Sequence, residues 1–151
     1  MESVGLAMIV RDCEETLDFC LQSVKGVFDR VCLVDTGSID LTKQIATKHD
    51  VEIYDFVWVD DFAAARNYSF EKLDTHWIVW LDSDDIVLGK EFIPEMVQKC
   101  EEKNLDGVIL EYLYAFDPVG ERLLEDATPN ILSGRVSTQA LAEELRRLCI
   151  T

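Results

Sequence analysis

Residues 77–85 read Trp-Ile-Val-Trp-Leu-Asp-Ser-Asp-Asp, and no other stretch restricts the possible folds as strongly. Five large apolar residues in a row predict a strand buried on both faces of a sheet, and the run stops at once in three carboxylates. The strand delivers concentrated negative charge to its carboxyl end, which is where open α/β sheets bind ligands. Two carboxylates about 4 Å apart repel by roughly 4 kcal/mol at an effective dielectric of about 20. A cation between them removes that repulsion. A donor set made only of oxygens, with no His or Cys at ligand spacing, suits a hard ion such as Mg²⁺ or Mn²⁺. The bland alternative is a solvated turn and helix cap after a core strand.

The same unit recurs along the chain. Val4 to Val10 is a continuous apolar run that predicts a buried first strand ending in Arg11-Asp12. Asp12 with Glu15 three residues later has the form of a capping box, and Leu17, Cys20, Leu21 and Val24 follow at helical spacing. Val31 to Val34 predicts a second strand, closed by the turn Asp35-Thr36-Gly37-Ser38, from which Asp40 leads into a helix over Leu41 to Lys48. Val51 to Phe56 alternates partially and suits a sheet edge. A helix then opens at Phe62, with Phe62, Ala65, Ser69, Phe70 and Leu73 toward the sheet. Lys90 to Lys103 predicts a helix with Ile93, Met96, Val97 and Cys100 on one stripe and Pro94 in its first turns. Asp106 to Tyr114 predicts a further strand, turned at Asp117 to Gly120. Alternating strands and helices imply parallel βαβ units with right-handed crossovers, hence a Rossmann-like α/β fold with a mostly parallel sheet. A domain over residues 1–128 is expected, followed by an indistinct segment, 129–151, with a short helix over Gln139 to Leu148.

Composition narrows the partners. A chain of 151 residues with 48% hydrophobic and 29% charged residues reads as a soluble globular domain. Its net charge of −16 argues against nucleic acid and anionic membrane surfaces, which it repels. It also opposes a phosphorylated ligand unless a metal and a few placed cations reverse the field locally. No apolar run reaches the length of a membrane span. Five cysteines, an odd number without a Cys-x-x-Cys pair, and no signal peptide predict reduced thiols and a cytoplasmic location.

In a parallel sheet the strand ends share one edge, so Arg11-Asp12, Asp35 to Ser38 and Asp82-Ser83-Asp84 converge on one crevice. No Gly-x-Gly-x-x-Gly or Gly-Lys-Ser/Thr loop accompanies them, and neither His49 nor His76 has partners for a nucleophilic triad. A phosphoacceptor receiver domain needs an acidic pair after the first strand and a lysine after a late one, which this chain lacks. Four motifs in order carry a resemblance: Met8-Ile9-Val10-Arg11-Asp12 with Glu14-Glu15, Val34-Asp35-Thr36-Gly37-Ser38-Ile39-Asp40, Asp60-Asp61-Phe62-Ala63-Ala64-Ala65-Arg66-Asn67, and Trp80-Leu81-Asp82-Ser83-Asp84-Asp85. Over residues 4–118 the chain resembles the nucleotide-sugar half of a GT-A glycosyltransferase of family 2.

The resemblance implies a three-layer sandwich, C-terminally abbreviated, and a set of roles. Val10, Arg11, Asp12 and Glu14 line the nucleoside pocket, and Asp35 meets the base, usually uracil. Arg66 places a cation near the diphosphate, Asp82 with Ser83 meets the donor at the ribose, and Asp84 with Asp82 forms the site for Mg²⁺ or Mn²⁺. The implied partner is a UDP-linked sugar donor, with the acceptor left open, and the reaction an inverting displacement. The family's general base comes well beyond the Asp-x-Asp strand. Here Glu125-Asp126 is the later acidic pair and arrives too soon, so the catalytic base stays unassigned. The chain therefore reads as the donor-binding portion of a glycosyltransferase, or as a catalytically incomplete nucleotide-binding or regulatory module. A sheet lacking its later strands also invites self-association at an exposed edge.

Overall fold

The computed structural model describes residues 2–109. Its elements lie in a compact unit ending at Asn104, whose left-handed backbone closes the last helix. In order they are β1 (Val4–Val10), α1 (Leu17–Ser23), β2 (Arg30–Asp35), α2 (Thr42–Ala46), β3 (Glu52–Asp55), α3 (Phe62–Glu71), β4 (Trp77–Trp80), a 3₁₀ turn (Lys90–Phe92) and α4 (Ile93–Lys103). The four strands form a parallel sheet in the order β3-β2-β1-β4. The chain steps outward from β1 to β3, then returns to the other side of β1. The crevice between the ends of β1 and β4 is thus the topological switch point, the position at which such sheets bind ligands.

The apolar runs of β1 and β2 are continuous because both faces of the sheet are covered. Leu6, Met8 and Leu33 point into one cluster with Leu17, Cys20 and Leu21 of α1. Ala7, Cys32 and Val34 point the other way, against Leu73, Tyr68 and Phe70. Helices therefore sandwich the sheet. Fully burying a Leu or Met stabilises by about 1.5–3 kcal/mol, which makes these central strands the rigid platform for the loops at their ends.

Several expectations need correcting. The Trp77 to Leu81 run is not buried on both faces: β4 residues are half-buried and Trp80 is 55% exposed. Among the described residues β4 pairs with β1 on one side only, so apolar content signals a strand without saying how completely it is covered. The capping box at Asp12 and Glu15 does not form. α1 begins at Leu17, with Thr16 making no side-chain cap, and Asp12 instead takes a left-handed φ of 46° and bonds across to another loop. Phe62 does not face the sheet; it is exposed and packs edge-on against Trp58 at 4.7 Å. α3 is capped by Asp61, whose side chain accepts from the Ala64 amide at 3.0 Å. Of the strand expected over Asp106 to Tyr114, residues 106–109 have no regular structure, and 110–114 lie outside the described residues. So do the turn at 117–120, the helix at 139–148, Cys149 and the boundary at 128.

Candidate functional site

The turns after β1 and β2 are joined by reciprocal bonds between backbone and side chains. The Asp12 amide donates to Ser38 Oγ at 3.0 Å, and Asp12 Oδ1 accepts from the Ile39 amide at 2.8 Å. The Glu14 amide donates to Asp40 Oδ2 at 3.0 Å, and Glu14 Oε2 accepts from the Leu41 amide at 2.8 Å. Between them the Cys13 amide donates to the buried Thr42 Oγ1 at 2.8 Å. Each loop thus satisfies the amides of the other, and the two behave as one rigid edge. Burial alone would raise the Asp40 carboxyl, but bonds from Thr42 and the Glu14 amide outweigh it and hold the group below its ordinary value.

Asp35, the last residue of β2, is 1% exposed. Its Oδ1 accepts from the amides of Gly37 and Ser38 at 2.8 and 2.9 Å, a turn closed by Gly37 at φ 111°. Burial pushes this carboxyl up; the Ser38 hydroxyl, those two amides and the Lys43 charge 4.0 Å away pull it down further, so it stays ionised. Its Oδ2 is buried and has no hydrogen-bond partner. A carboxylate oxygen in that state costs about 1–3 kcal/mol, more for a charge, until something donates to it.

The end of β4 folds into a tight turn: Asp85 Oδ2 accepts from the Asp82 amide at 2.9 Å, and the Asp85 amide returns to the Asp82 carbonyl at 3.2 Å. The Cys20 thiol, which burial pushes up to about 12, donates to that same carbonyl. Arg66, on the second turn of α3, reaches the turn from the other face. Its Nη2 donates to Asp82 Oδ1 at 3.1 Å, its guanidinium lies 4.6 Å over the Trp80 ring, and its Nη1 is buried without a partner.

Between these pieces an open cleft of about 440 Å³ lies at the switch point, lined by the turn Arg11 to Thr16, Asp40, Ser83 and Asp84. The fold therefore gathers Arg11, Asp12, Glu14, Ser83 and Asp84 of the expected site around one space. Arg66 and Asp82 are paired with each other beside it. Val10 is a core residue whose carbonyl accepts from the Thr36 amide and hydroxyl, and Asp35 is sunk in the sheet edge. Thr42, Lys43, Cys13 and Trp80 were not among the expected site residues. Only Trp80 carried a usable signal, being two residues before Asp82 and so on the same side of the strand. Among the described residues no three His, Cys, Asp or Glu side chains converge as a metal cage.

A parallel sheet with acidic turns at its switch point is a Rossmann-like arrangement, and solved structures place it with the GT-A fold. Staphylococcus aureus TarS superposes with a TM-score of 0.59 at 18% identity, over 72% of this chain and 23% of that one. Mycobacterium tuberculosis glucosyl-3-phosphoglycerate synthase gives 0.53 at 19% identity, over 64% of this chain and 39% of the synthase. The sequence model of glycosyl transferase family 2 matches residues 6–147, and the chain belongs to that family. Among curated relatives, a TPR repeat-containing protein of Synechococcus elongatus is 45% identical over 56% of this chain, and the SPbeta prophage-derived glycosyltransferase SunS of Bacillus subtilis is 30% identical over 74%. The chain spans only 21% and 27% of the lengths of these two.

Proposed function

We propose that the described domain binds a nucleotide-diphosphate sugar, UDP-linked, for transfer of the sugar to an acceptor hydroxyl. The observation that carries this reading is the cleft at the switch point that gathers Arg11, Asp12, Glu14, Ser83 and Asp84, with two buried, unpartnered polar atoms nearby, Asp35 Oδ2 at the end of β2 and Arg66 Nη1 on α3. Side-chain movement that opens these atoms would let a uracil N–H complete the first and a diphosphate oxygen the second. In this reading Asp35 holds the base, the edge formed by Val10, Arg11, Asp12 and Glu14 borders the nucleoside, and Arg66 meets anionic oxygen. Asp82 and Ser83 flank the ribose.

The all-oxygen donors Asp84 and Asp82 fit Mg²⁺ or Mn²⁺, which take one or two carboxylates and draw their remaining ligands from phosphate and water rather than from a protein cage. A divalent ion held there would neutralise the departing diphosphate. The M. tuberculosis synthase, whose structure has been solved with Mn²⁺ and UDP, lends this support. In the displacement the acceptor oxygen bonds to the anomeric carbon on the face opposite the diphosphate. The carbon–oxygen bond to the diphosphate breaks with its electron pair, and the acceptor proton passes to a general base. That base stays unassigned; Glu125 and Asp126, the later acidic pair of the sequence, lie outside the described residues.

The test is calorimetric titration of UDP with and without Mn²⁺, in this protein and in Asp84→Ala. Metal-dependent binding that the substitution weakens at least tenfold supports the reading. Folded protein that binds no UDP under any metal condition refutes it. UDP binding with no hydrolysis of any UDP-sugar marks the chain as a nucleotide-binding or regulatory module instead.

A further inference from the structure

Along β4, alternate residues face opposite sides of the sheet. Val79 and Leu81 pack in the cluster that α1 covers, and Ile78 packs in the cluster that α3 helps to build. Trp80 shares the phase of Ile78 and so projects toward α3, and Asp82, in the turn just past the strand, meets Arg66 of that helix. Indole, guanidinium and carboxylate then lie together: the Arg66 Cζ is 4.6 Å from the Trp80 ring centroid and its Nη2 is 3.1 Å from Asp82 Oδ1. The Nη1 nitrogen is buried without a partner. Arginine has a long side chain with many rotamers, and a single bond to a 56% exposed carboxylate does not hold it in one of them. A large aromatic that is 55% exposed in an otherwise half-buried strand is also unexplained by core packing.

We propose that Trp80 is a positioning residue of the donor site: its indole face holds the Arg66 guanidinium so that Nη2 anchors Asp82 and with it the turn that carries Ser83 and Asp84 to the cleft. This rests on the donor-site reading above. It assigns to Trp80 a role that depends on its π face rather than on its bulk: Leu is apolar but offers no quadrupole, and Phe, also smaller than Trp, restores an aromatic face. Because half of Trp80 is exposed, its replacement leaves the core intact.

Three measurements test it together. In the wild type, the Arg66 Nε–Hε resonance is shifted upfield by the indole ring current; Trp80→Phe keeps much of that shift and Trp80→Leu abolishes it. In calorimetry at saturating Mn²⁺, Trp80→Leu weakens UDP binding about tenfold with an unchanged melting temperature, and Trp80→Phe restores most of the loss. In an Arg66→Lys background, Trp80→Leu has little further effect, because the planar group that stacks is already gone. Wild-type affinity in Trp80→Leu overturns the proposal and leaves the donor-site reading standing. So does a loss of the same size in the Arg66→Lys background. Wild-type protein that is folded, shows the ring-current shift and binds no UDP overturns the donor-site reading and the proposal with it.

Discussion

Asp35 concentrates the chemistry of this molecule in one side chain, because an ionised carboxylate is held at 1% exposure with one oxygen saturated and the other free. Its carboxyl sits below the ordinary value of 3.8 in the folded chain, the bonds from Ser38 and Gly37 and the Lys43 charge outweighing the burial that opposes them. A group whose folded value is depressed contributes stability that is fully present above its unfolded value and lost as the pH falls through the folded one. Asp35→Asn removes the charge and keeps the shape. We expect it to lower stability by about 1.5–3 kcal/mol near neutral pH, the range for bonds to a charged group. The gap between variant and wild type should close as the pH is taken below 4, into the region where the wild type also loses its charge. Urea denaturation across that range is the measurement, and a gap that widens toward acid contradicts the account.

At the scale of elements, the loops matter through what aligns them. Gly5 sits in β1 between Arg30 of β2 and Ile78 of β4, and a Cβ there would lie 2.6 Å from Thr75 Oγ1 and 2.9 Å from Leu73 Cδ1. Leu73 can swing away, but Thr75 is stiff at χ1 and donates to the Trp77 carbonyl at 2.9 Å, a bond that sets the start of β4. Gly5→Ala should therefore destabilise by about 1–3 kcal/mol and weaken UDP binding through the displaced Asp82 turn, although Gly5 lies at the far end of the strand. A variant as stable as the wild type in urea would show that the β3-to-β4 connection is softer than this packing implies. These contacts also show what the sequence made legible. The apolar runs of β1, β2 and β4 and the acidic turns at their ends were readable, because burial and the 2.0 period act residue by residue. The capping box at Asp12 was misread because an acidic side chain before a helix has two uses, and only the tertiary approach of Ser38 and Ile39 decides for the cross-loop bond. The cover on β4 was misread for a related reason: Trp77-Ile78-Val79-Trp80 has the same composition whether a neighbour shields it or an arginine lies across it.

For the molecule as a whole, charge and site pull in opposite directions. The sequence carries a net −16, and UDP is itself an anion, so the far field repels the proposed ligand. Close in, on the proposed reading, Arg66 and an ion held at Asp84 would oppose that field over a few ångströms. The two ranges respond differently to salt, because the Debye length falls from about 30 Å at 0.01 M to about 8 Å at 0.15 M while contacts at bonding distance are screened far less. Raising the ionic strength should therefore speed the association of UDP with the metal-saturated protein severalfold. Dissociation, governed by buried partners such as Asp35 and Arg66, should change little. Stopped-flow tryptophan fluorescence at several salt concentrations separates the two rates, with Mn²⁺ kept saturating so that metal loss does not enter. An association rate that instead falls with salt would mean that UDP is steered in by a local cationic field, and that the acidity of the chain is masked where the donor approaches.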